Sequence, residues 1–399
     1  MPLSDGAVTA GGTEASPVQL AKFHAPEVVF GTGSLAELGH CALRVGGRRP
    51  FLVTDPGLIE AGWVDEAVGH LRQVGLRPVV WHELTPNPKD HEVEAGFQRY
   101  AESGSDVIVA LGGGSCIDAA KGVAILASNG GRILDFEGVD LVGLPIPPTV
   151  MVPSTSGTGA DVSQFAVITD TAEQVKITII SRTLVPEISL IDPRLLTTMP
   201  DWLNAATGLD ALTHAIESFV SRAHNPLTDT LALHAVQLIT GHLRGTQTRP
   251  KEVSPRLAMA QGSLEAGMAF TNAILGATHA MSHQVGGLLD APHGVVNGVL
   301  LPHVIRFNAA ARPDRFVALA SAAGLATDGV PPEEAALALA ERVRTLADDV
   351  GVPKGLASLG VAEADLPRLA RTTLKDACLA TNPRDAGAQD IEALFRAAL

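Results

Sequence analysis

Asp210 and His214 stand four residues apart, as do His279 and His283, and His293 follows ten residues later. On an α-helix a spacing of four puts two side chains on one face about one turn apart, so each pair can aim two donors at one ion. The chemistry implied is a divalent metal site. One carboxylate with up to three neutral imidazoles suits Fe(II), Zn(II) or a similar borderline ion better than Mg or Ca, which prefer all-oxygen shells. A shell of three histidines and one aspartate leaves a net charge of about +1, which makes a Lewis acid with a position open to a substrate oxygen.

Around 205–221 the residues Leu209, Leu212, Ile216, Phe219 and Val220 define an apolar side. Asp210, His214 and Glu217 form a separate stripe rotated by roughly 120°. Alone, an Asp-x-x-x-His pair is usually a surface ion pair or hydrogen bond. The second group changes that reading. His279 and His283 lie in an Ala/Gly-rich helix and His293 in the loop Asp290-Ala-Pro-His-Gly294, so three imidazoles crowd fifteen residues with few other polar groups. Histidines in apolar surroundings need partners. Five donors compete for about four places, and spacing leaves open which histidine stands off the ion. His24, His40, His70, His82, His91, His224, His234, His242 and His303 are read as structural or surface residues.

A second chemical feature lies upstream. The run Asp106-Val-Ile-Val-Ala-Leu-Gly-Gly-Gly-Ser115 ends a buried strand in three glycines and a serine, with a helix expected from Ile117. Glycines let the backbone approach a ligand closely, and free N–H groups at a helix start favour a pyrophosphate. The spacing is not the GxGxxG fingerprint, so a standard Rossmann assignment is not supported. Val152-Pro-Ser-Thr-Ser-Gly-Thr-Gly159 offers hydroxyls and amides for a second wall. Asp55, at the end of a strand, would accept from adenosine ribose hydroxyls and repel a 2′-phosphate, favouring NAD over NADP; it would equally initiate the turn Asp55-Pro56-Gly57.

The elements that must carry these residues follow from the hydrophobic pattern. Val28 to Phe30, Phe51 to Thr54, Pro78 to Trp81 and Val107 to Leu111 read as strands, alternating with helical patterns. This βαβ order implies a largely parallel sheet. Beyond about Pro200 the patterns are helical (205–221, 227–243, 254–269, 273–286, 313–323, 333–350), with almost no strand signal. The expected organisation is a flexible arm at 1–21, an α/β dinucleotide-binding domain at 22–199 and an all-helical metal-binding domain at 200–399.

Composition narrows the function classes. The 399 residues carry a formal charge of −14, with 46% hydrophobic and 18% charged residues. That balance fits a soluble globular chain and disfavours nucleic acid or anionic membrane as partners, because no basic field offsets phosphate repulsion. Cys41, Cys116 and Cys378 form no CxxC pattern, so disulfides are not expected and a reducing cytoplasm fits. No apolar run suggests a membrane span or a signal peptide.

Six segments in register resemble the iron-containing (group III) alcohol dehydrogenase family, from about residue 22 to the end. They are Phe30-Gly-Thr-Gly-Ser34, Thr85-Pro-Asn-Pro88, Gly112-Gly-Gly-Ser-Cys-Ile-Asp-Ala-Ala-Lys121, Pro153-Ser-Thr-Ser-Gly-Thr158, Ala206-Thr-Gly-Leu-Asp-Ala-Leu-Thr-His-Ala215, and His279-Ala-Met-Ser-His-Gln-Val-Gly286 with Pro292-His-Gly294. The resemblance implies the dehydroquinate synthase-like architecture, with the site in the cleft between the two domains. It implies Asp210, His214, His279 and His293 as metal ligands, Fe(II) or alternatively Zn(II), and His283 as an unligated histidine suited to proton relay. It places the dinucleotide against Asp55, Asn87, Gly113, Gly114, Ser115, Asp118, Ser154, Thr158, Ser163, Val167, Lys176 and Leu203. Ser154 and Asp161 depart from the threonine and glutamate usual in the family, and both keep the chemistry. Phe165 and Phe270 fall near the substrate pocket by alignment, where they would favour a slim substrate or simply pack.

The activity implied is an NAD(H)-linked alcohol dehydrogenase or aldehyde reductase acting on a small primary alcohol or aldehyde. A homo-oligomer is implied as well. Two alternatives keep the fold: reduction of a specialised aldehyde such as phosphonoacetaldehyde, and a non-catalytic metal or nucleotide sensor. A dehydroquinate synthase type of lyase is disfavoured, because the 279–293 segment lacks the basic residues a phosphorylated acid would need.

Overall fold

The computed structural model describes residues 22–250 and 252–399; the arm expected at 1–21 lies outside them. The first half runs β1 (Glu27–Phe30), α1 (Leu38–Arg44), β2 (Pro50–Val53), α2 (Pro56–Glu60), α3 (Trp63–Gln73), β3 (Val79–Trp81), α4 (Asp90–Ser103), β4 (Val107–Gly112), α5 (Gly114–Asn129), β5 (Gly138–Val139), β6 (Thr149–Pro153), β7 (Phe165–Asp170), β8 (Val175–Ile180) and β9 (Ile188–Ile191). Helices follow: α6 (Asp201–Val220), α7 (Pro226–Thr248), α8 (Val253–Ala273), α9 (Ala277–Leu289), α10 (His293–Asn308), α11 (Pro313–Ala322), α12 (Pro332–Asp349), α13 (Leu366–Thr373) and α14 (Ala388–Ala397).

Six strands form one sheet in the order β1-β9-β6-β4-β2-β3, every pairing parallel. Both faces are covered, as such sheets require. The alternation along β4 shows how: Ile108 and Ala110 enter the core beneath α4 and α5, while Val109 and Leu111 enter the core beneath α1 and α3. A separate three-stranded sheet, β5-β8-β7, pairs β7 with β8 antiparallel and was not among the expected strands. The helical half packs around α6, which touches α7, α8 and α10. From Asn204 to Val220 every residue of α6 is buried. The stripe carrying Asp210 therefore faces an internal cleft, where an amphipathic reading would have put solvent.

Two boundaries differ from expectation at functional positions. The helix after the glycine loop starts at Gly114, three residues earlier than Ile117. His293 is the first residue of α10 and not part of a loop, entered through Pro292 after the left-handed Asp290 (φ 52°) that ends α9. A third difference is the break Ile274–Gly276 between α8 and α9, with Ile274 at φ 60°, so the helix expected over 273–286 begins at Ala277.

Candidate metal centre and nucleotide cleft

A cleft of about 790 Å³ opens between the carboxyl ends of the parallel strands and the helical half. That is where open α/β sheets bind ligands, at the point where strand order reverses. Asp55 follows β2, Gly113 to Ser115 follow β4 and Ser154 follows β6, so three strand ends supply one wall. All twelve residues expected against a dinucleotide line this cleft, together with Asp210, His214, His279, His283, His293, Phe165 and Phe270. None of the nine histidines set aside lines it.

The metal candidates converge on one atom. Asp210 Oδ1 lies 3.8 Å from His214 Nε2, 3.6 Å from His279 Nε2 and 3.7 Å from His293 Nε2. The donor atoms of Asp210, His279 and His293 all lie within 4.8 Å of one another. Ligands about 2.1 Å from a tetrahedral ion stand about 3.4 Å apart, so the spacing suits a small divalent cation.

Groups behind the imidazoles select which nitrogen faces inward. His214 Nδ1 lies 3.1 Å from the carbonyl of Gly157. A carbonyl only accepts, so Nδ1 carries the hydrogen and Nε2 turns its lone pair toward the carboxylate. His279 Nδ1 lies 2.7 Å from Glu217 Oε2, and Ser282 Oγ lies 3.2 Å from His293 Nδ1. Glu217 also accepts from the backbone N–H of Gly276 (2.9 Å) and Thr278 (2.6 Å), anchoring the amino end of α9 where a carboxylate is favoured. The sequence stripe had named Glu217 without a role; supporting His279 is that role.

This donor set fits a metal ion. Lone pairs from buried imidazoles directed at a buried carboxylate oxygen repel unless a cation or a donor N–H lies between them. A further residue was missed. Asn297, one helical turn after His293, donates from Nδ2 to Asp210 Oδ1 at 2.8 Å and lies 3.2 Å from both His279 Nε2 and His293 Nε2. Its own Oδ1 is buried without a partner. The i, i+4 spacing from His293 was the available signal.

Electrostatics follow the same contacts. Burial pushes His214 down to about 4 and His293 well below its ordinary value. Burial works against charge on His279, but the nearby carboxylates of Glu217 and Asp210 outweigh it and move it up, to about 9. Burial works against charge on Asp210, but His214, His279 and His293 together hold its carboxyl far below the usual range.

Phe270 stacks on the His214 ring at 4.4 Å and meets Phe165 at 5.6 Å. With Ile180, Leu275, Ala280 and Cys378 they form an apolar cluster beside the candidate ligands. Asp55 caps α2 through Leu58 N–H and accepts from Cys116 Sγ at 3.3 Å, so it initiates the helix and still faces the cleft. Asp161 is absent from the cleft lining; it accepts from Ser189 Oγ at 2.7 Å inside the sheet. Lys121 is buried and donates to the carbonyls of Ala160 (2.6 Å), Ser163 (2.7 Å) and Phe165 (2.9 Å), tying the second wall to α5. At the first residue of α5, a Cβ on Gly114 would meet Thr158 Cγ2 at 2.6 Å, so glycine lets the two walls close on each other.

The profile described as iron-containing alcohol dehydrogenase matches residues 25–193, and the one described as Fe-containing alcohol dehydrogenase family, C-terminal, matches 204–399. The chain is 42% identical to 1,3-propanediol dehydrogenase of Citrobacter freundii over 371 residues, covering 92% of this chain and 96% of that one. It is 37% identical to the NAD-dependent methanol dehydrogenase of Bacillus methanolicus over 377 residues, covering 94% and 99%. A crystal structure of 1,3-propanediol oxidoreductase superposes with a TM-score of 0.93 at 40% identity, covering 96% of this chain and all of that one. The chain belongs to the iron-containing alcohol dehydrogenase family.

Proposed function

We propose that this chain is a metal-dependent, NAD(H)-linked alcohol dehydrogenase or aldehyde reductase for small primary alcohols and aldehydes. The observation that carries the reading is one cleft lined both by the histidines that converge on Asp210 Oδ1 and by the glycine-loop wall. The activities named for the similar dehydrogenases support it. Asp210, His214, His279 and His293 would hold the ion, Fe(II) by family and Zn(II) as the alternative. When bound, the ion supplies Lewis acidity to a substrate oxygen and the dinucleotide supplies or accepts a hydride.

The protein's own groups do the rest. Gly157, Glu217 and Ser282 orient the imidazoles, and Gly113 to Ser115 present backbone at the start of α5 for phosphates. Asp55 favours NAD over NADP by repelling a 2′-phosphate. Phe165 and Phe270 narrow the metal end and keep water out. His283 accepts the alcohol's proton. Lys176 is the one lysine or arginine among the residues lining the cleft, and its Nζ is already committed to Asn87 Oδ1 at 2.8 Å. An uncharged substrate suits this wall better than a phosphonate-bearing aldehyde. A reducing cytoplasm and a homo-oligomer complete the reading.

The test is a panel of ethanol, 1,3-propanediol, glycerol and phosphonoacetaldehyde, assayed with Fe(II)- and Zn(II)-loaded enzyme and both nicotinamide cofactors. The expected result is the highest kcat/KM for a neutral primary alcohol or its aldehyde with NAD(H). Preference for phosphonoacetaldehyde would replace the substrate class, and loaded enzyme inert toward the whole panel would favour a sensor.

A further inference from the structure

Asp376 belongs to none of the motifs that carry the family resemblance. It caps the short turn Ala377–Thr381 and reaches His283 from 93 residues away in sequence. Its two oxygens have separate partners. Oδ1 accepts from the backbone N–H of Cys378 at 2.9 Å; Oδ2 lies 2.8 Å from His283 Nδ1 and 3.4 Å from Gln284 Nε2. The side chains of His283 and Asp376 are 7% and 8% exposed. Burial works against charge on Asp376, but His283 and the Cys378 N–H hold its carboxyl below the ordinary value.

An ionised carboxylate only accepts, so His283 Nδ1 carries a hydrogen, and in the neutral ring Nε2 keeps the lone pair. Nε2 has no hydrogen-bond partner among the described residues and is not sealed from the cleft that His283 lines. The ring lies parallel to His293 with centroids 5.2 Å apart, beside the metal centre. The Cys378 thiol, within 4.8 Å of the pair, does not make a second ion site of it. Burial and the charge of Asp376 push that thiol well above its ordinary value, and both carboxylate oxygens are engaged.

We propose that Asp376 is the positioning residue of the proton path, holding His283 in one tautomer and orientation with Nε2 presented to the substrate hydroxyl. This rests on the reading of His283 as proton acceptor. In alcohol oxidation the hydroxyl O–H bond breaks and its proton passes to Nε2, directly or through a water. The carbinol C–H bond breaks with its electron pair, the hydride going to the oxidised nicotinamide, and C=O forms. Asp376 stabilises the resulting imidazolium across Nδ1–H, and Nε2 then gives the proton to solvent.

The test compares His283→Ala, Asp376→Ala and Asp376→Asn for bound metal, melting temperature, kcat and KM. Asparagine is nearly isosteric, so a purely structural role predicts it to be milder than alanine. The positioning role predicts the reverse order. The Cys378 N–H demands the amide oxygen, which leaves the amide N–H₂ facing Nδ1 and drives His283 into the tautomer whose Nε2 carries hydrogen and cannot accept. The expected result is retained metal in all three, a kcat loss of about 10- to 100-fold in Asp376→Asn, a loss no larger in Asp376→Ala, and KM for the dinucleotide within about twofold. If Asp376→Asn keeps kcat within about twofold while His283→Ala is slow, the proposal falls and the proton-acceptor reading stands. If His283→Ala itself turns over normally, both fall. Should Asp376→Ala fail to fold, the isosteric Asp376→Asn decides alone.

Discussion

Which atom of each side chain is offered to the cleft is decided by the group behind it. His214 is set by a carbonyl, His279 by the Glu217 carboxylate and His283 by Asp376. Lys176 shows the same dependence through its charge. Its Nζ donates to Asn87 Oδ1, Asn87 Nδ2 donates to Asp290 Oδ1 at 2.5 Å, and burial brings the lysine down to about 8 despite the acids Asp290 and Asp118 nearby. In the unfolded chain a lysine titrates near 10.4. Between about pH 8 and 10 the unfolded chain therefore holds a proton that the folded chain has released, so this lysine's contribution to stability rises with pH across that window. Lys176→Met should make the change of melting temperature from pH 8 to 10 less favourable than in the wild type. Calorimetry at constant ionic strength checks this; parallel curves would contradict it.

The elements that deliver these groups depend on close approach. Gly294 in the first turn of α10 packs against α6, and a Cβ there would overlap the carbonyl of Ala206. Backbone cannot yield as a flexible side chain can, so Gly294→Ala should push α10 away from α6 and carry His293 off Asp210. A loss of at least about 2 kcal/mol is expected with reduced bound metal, measured by denaturant unfolding and elemental analysis. Unchanged stability with full metal would refute the packing argument. The same glycine explains why His293 was read as a loop residue: Pro292 and Gly294 are turn signals locally, but here they start a helix and seat it. The strands β2 and β4 were legible because both faces of the sheet are buried and their apolar runs are continuous. The β7–β8 hairpin was not recovered, although Val175-Lys-Ile-Thr-Ile-Ile180 is rich in β-branched residues, because short runs between turn residues carry no decisive periodicity. The pairs Asp210/His214 and His279/His283 were legible through helical spacing, and His293 through its nearness to the second pair; which four of the five would hold an ion came from the family resemblance alone. Asp376 was not legible, since no local pattern links it to His283.

At the scale of the whole molecule the parallel sheet and the helical half each supply an incomplete site. The strand ends present backbone, hydroxyls and Asp55; α6, α9 and α10 present the imidazoles and Asp210; the cleft brings them together. The apolar cluster around Phe165 and Phe270 lies beside the histidines, and Lys176 is the one lysine or arginine lining the cleft. The central claim is that hydride transfer in this cleft depends on an ion centred at Asp210. The most direct measurement follows NADH formation from 1,3-propanediol and NAD by wild type and Asp210→Ala, each before and after chelation and reloading with Fe(II) or Zn(II), with bound metal quantified in parallel. The account predicts that wild-type turnover disappears with the ion and returns on reloading, and that Asp210→Ala neither retains metal nor turns over. Undiminished turnover by chelated wild type, or by metal-free Asp210→Ala, would contradict it.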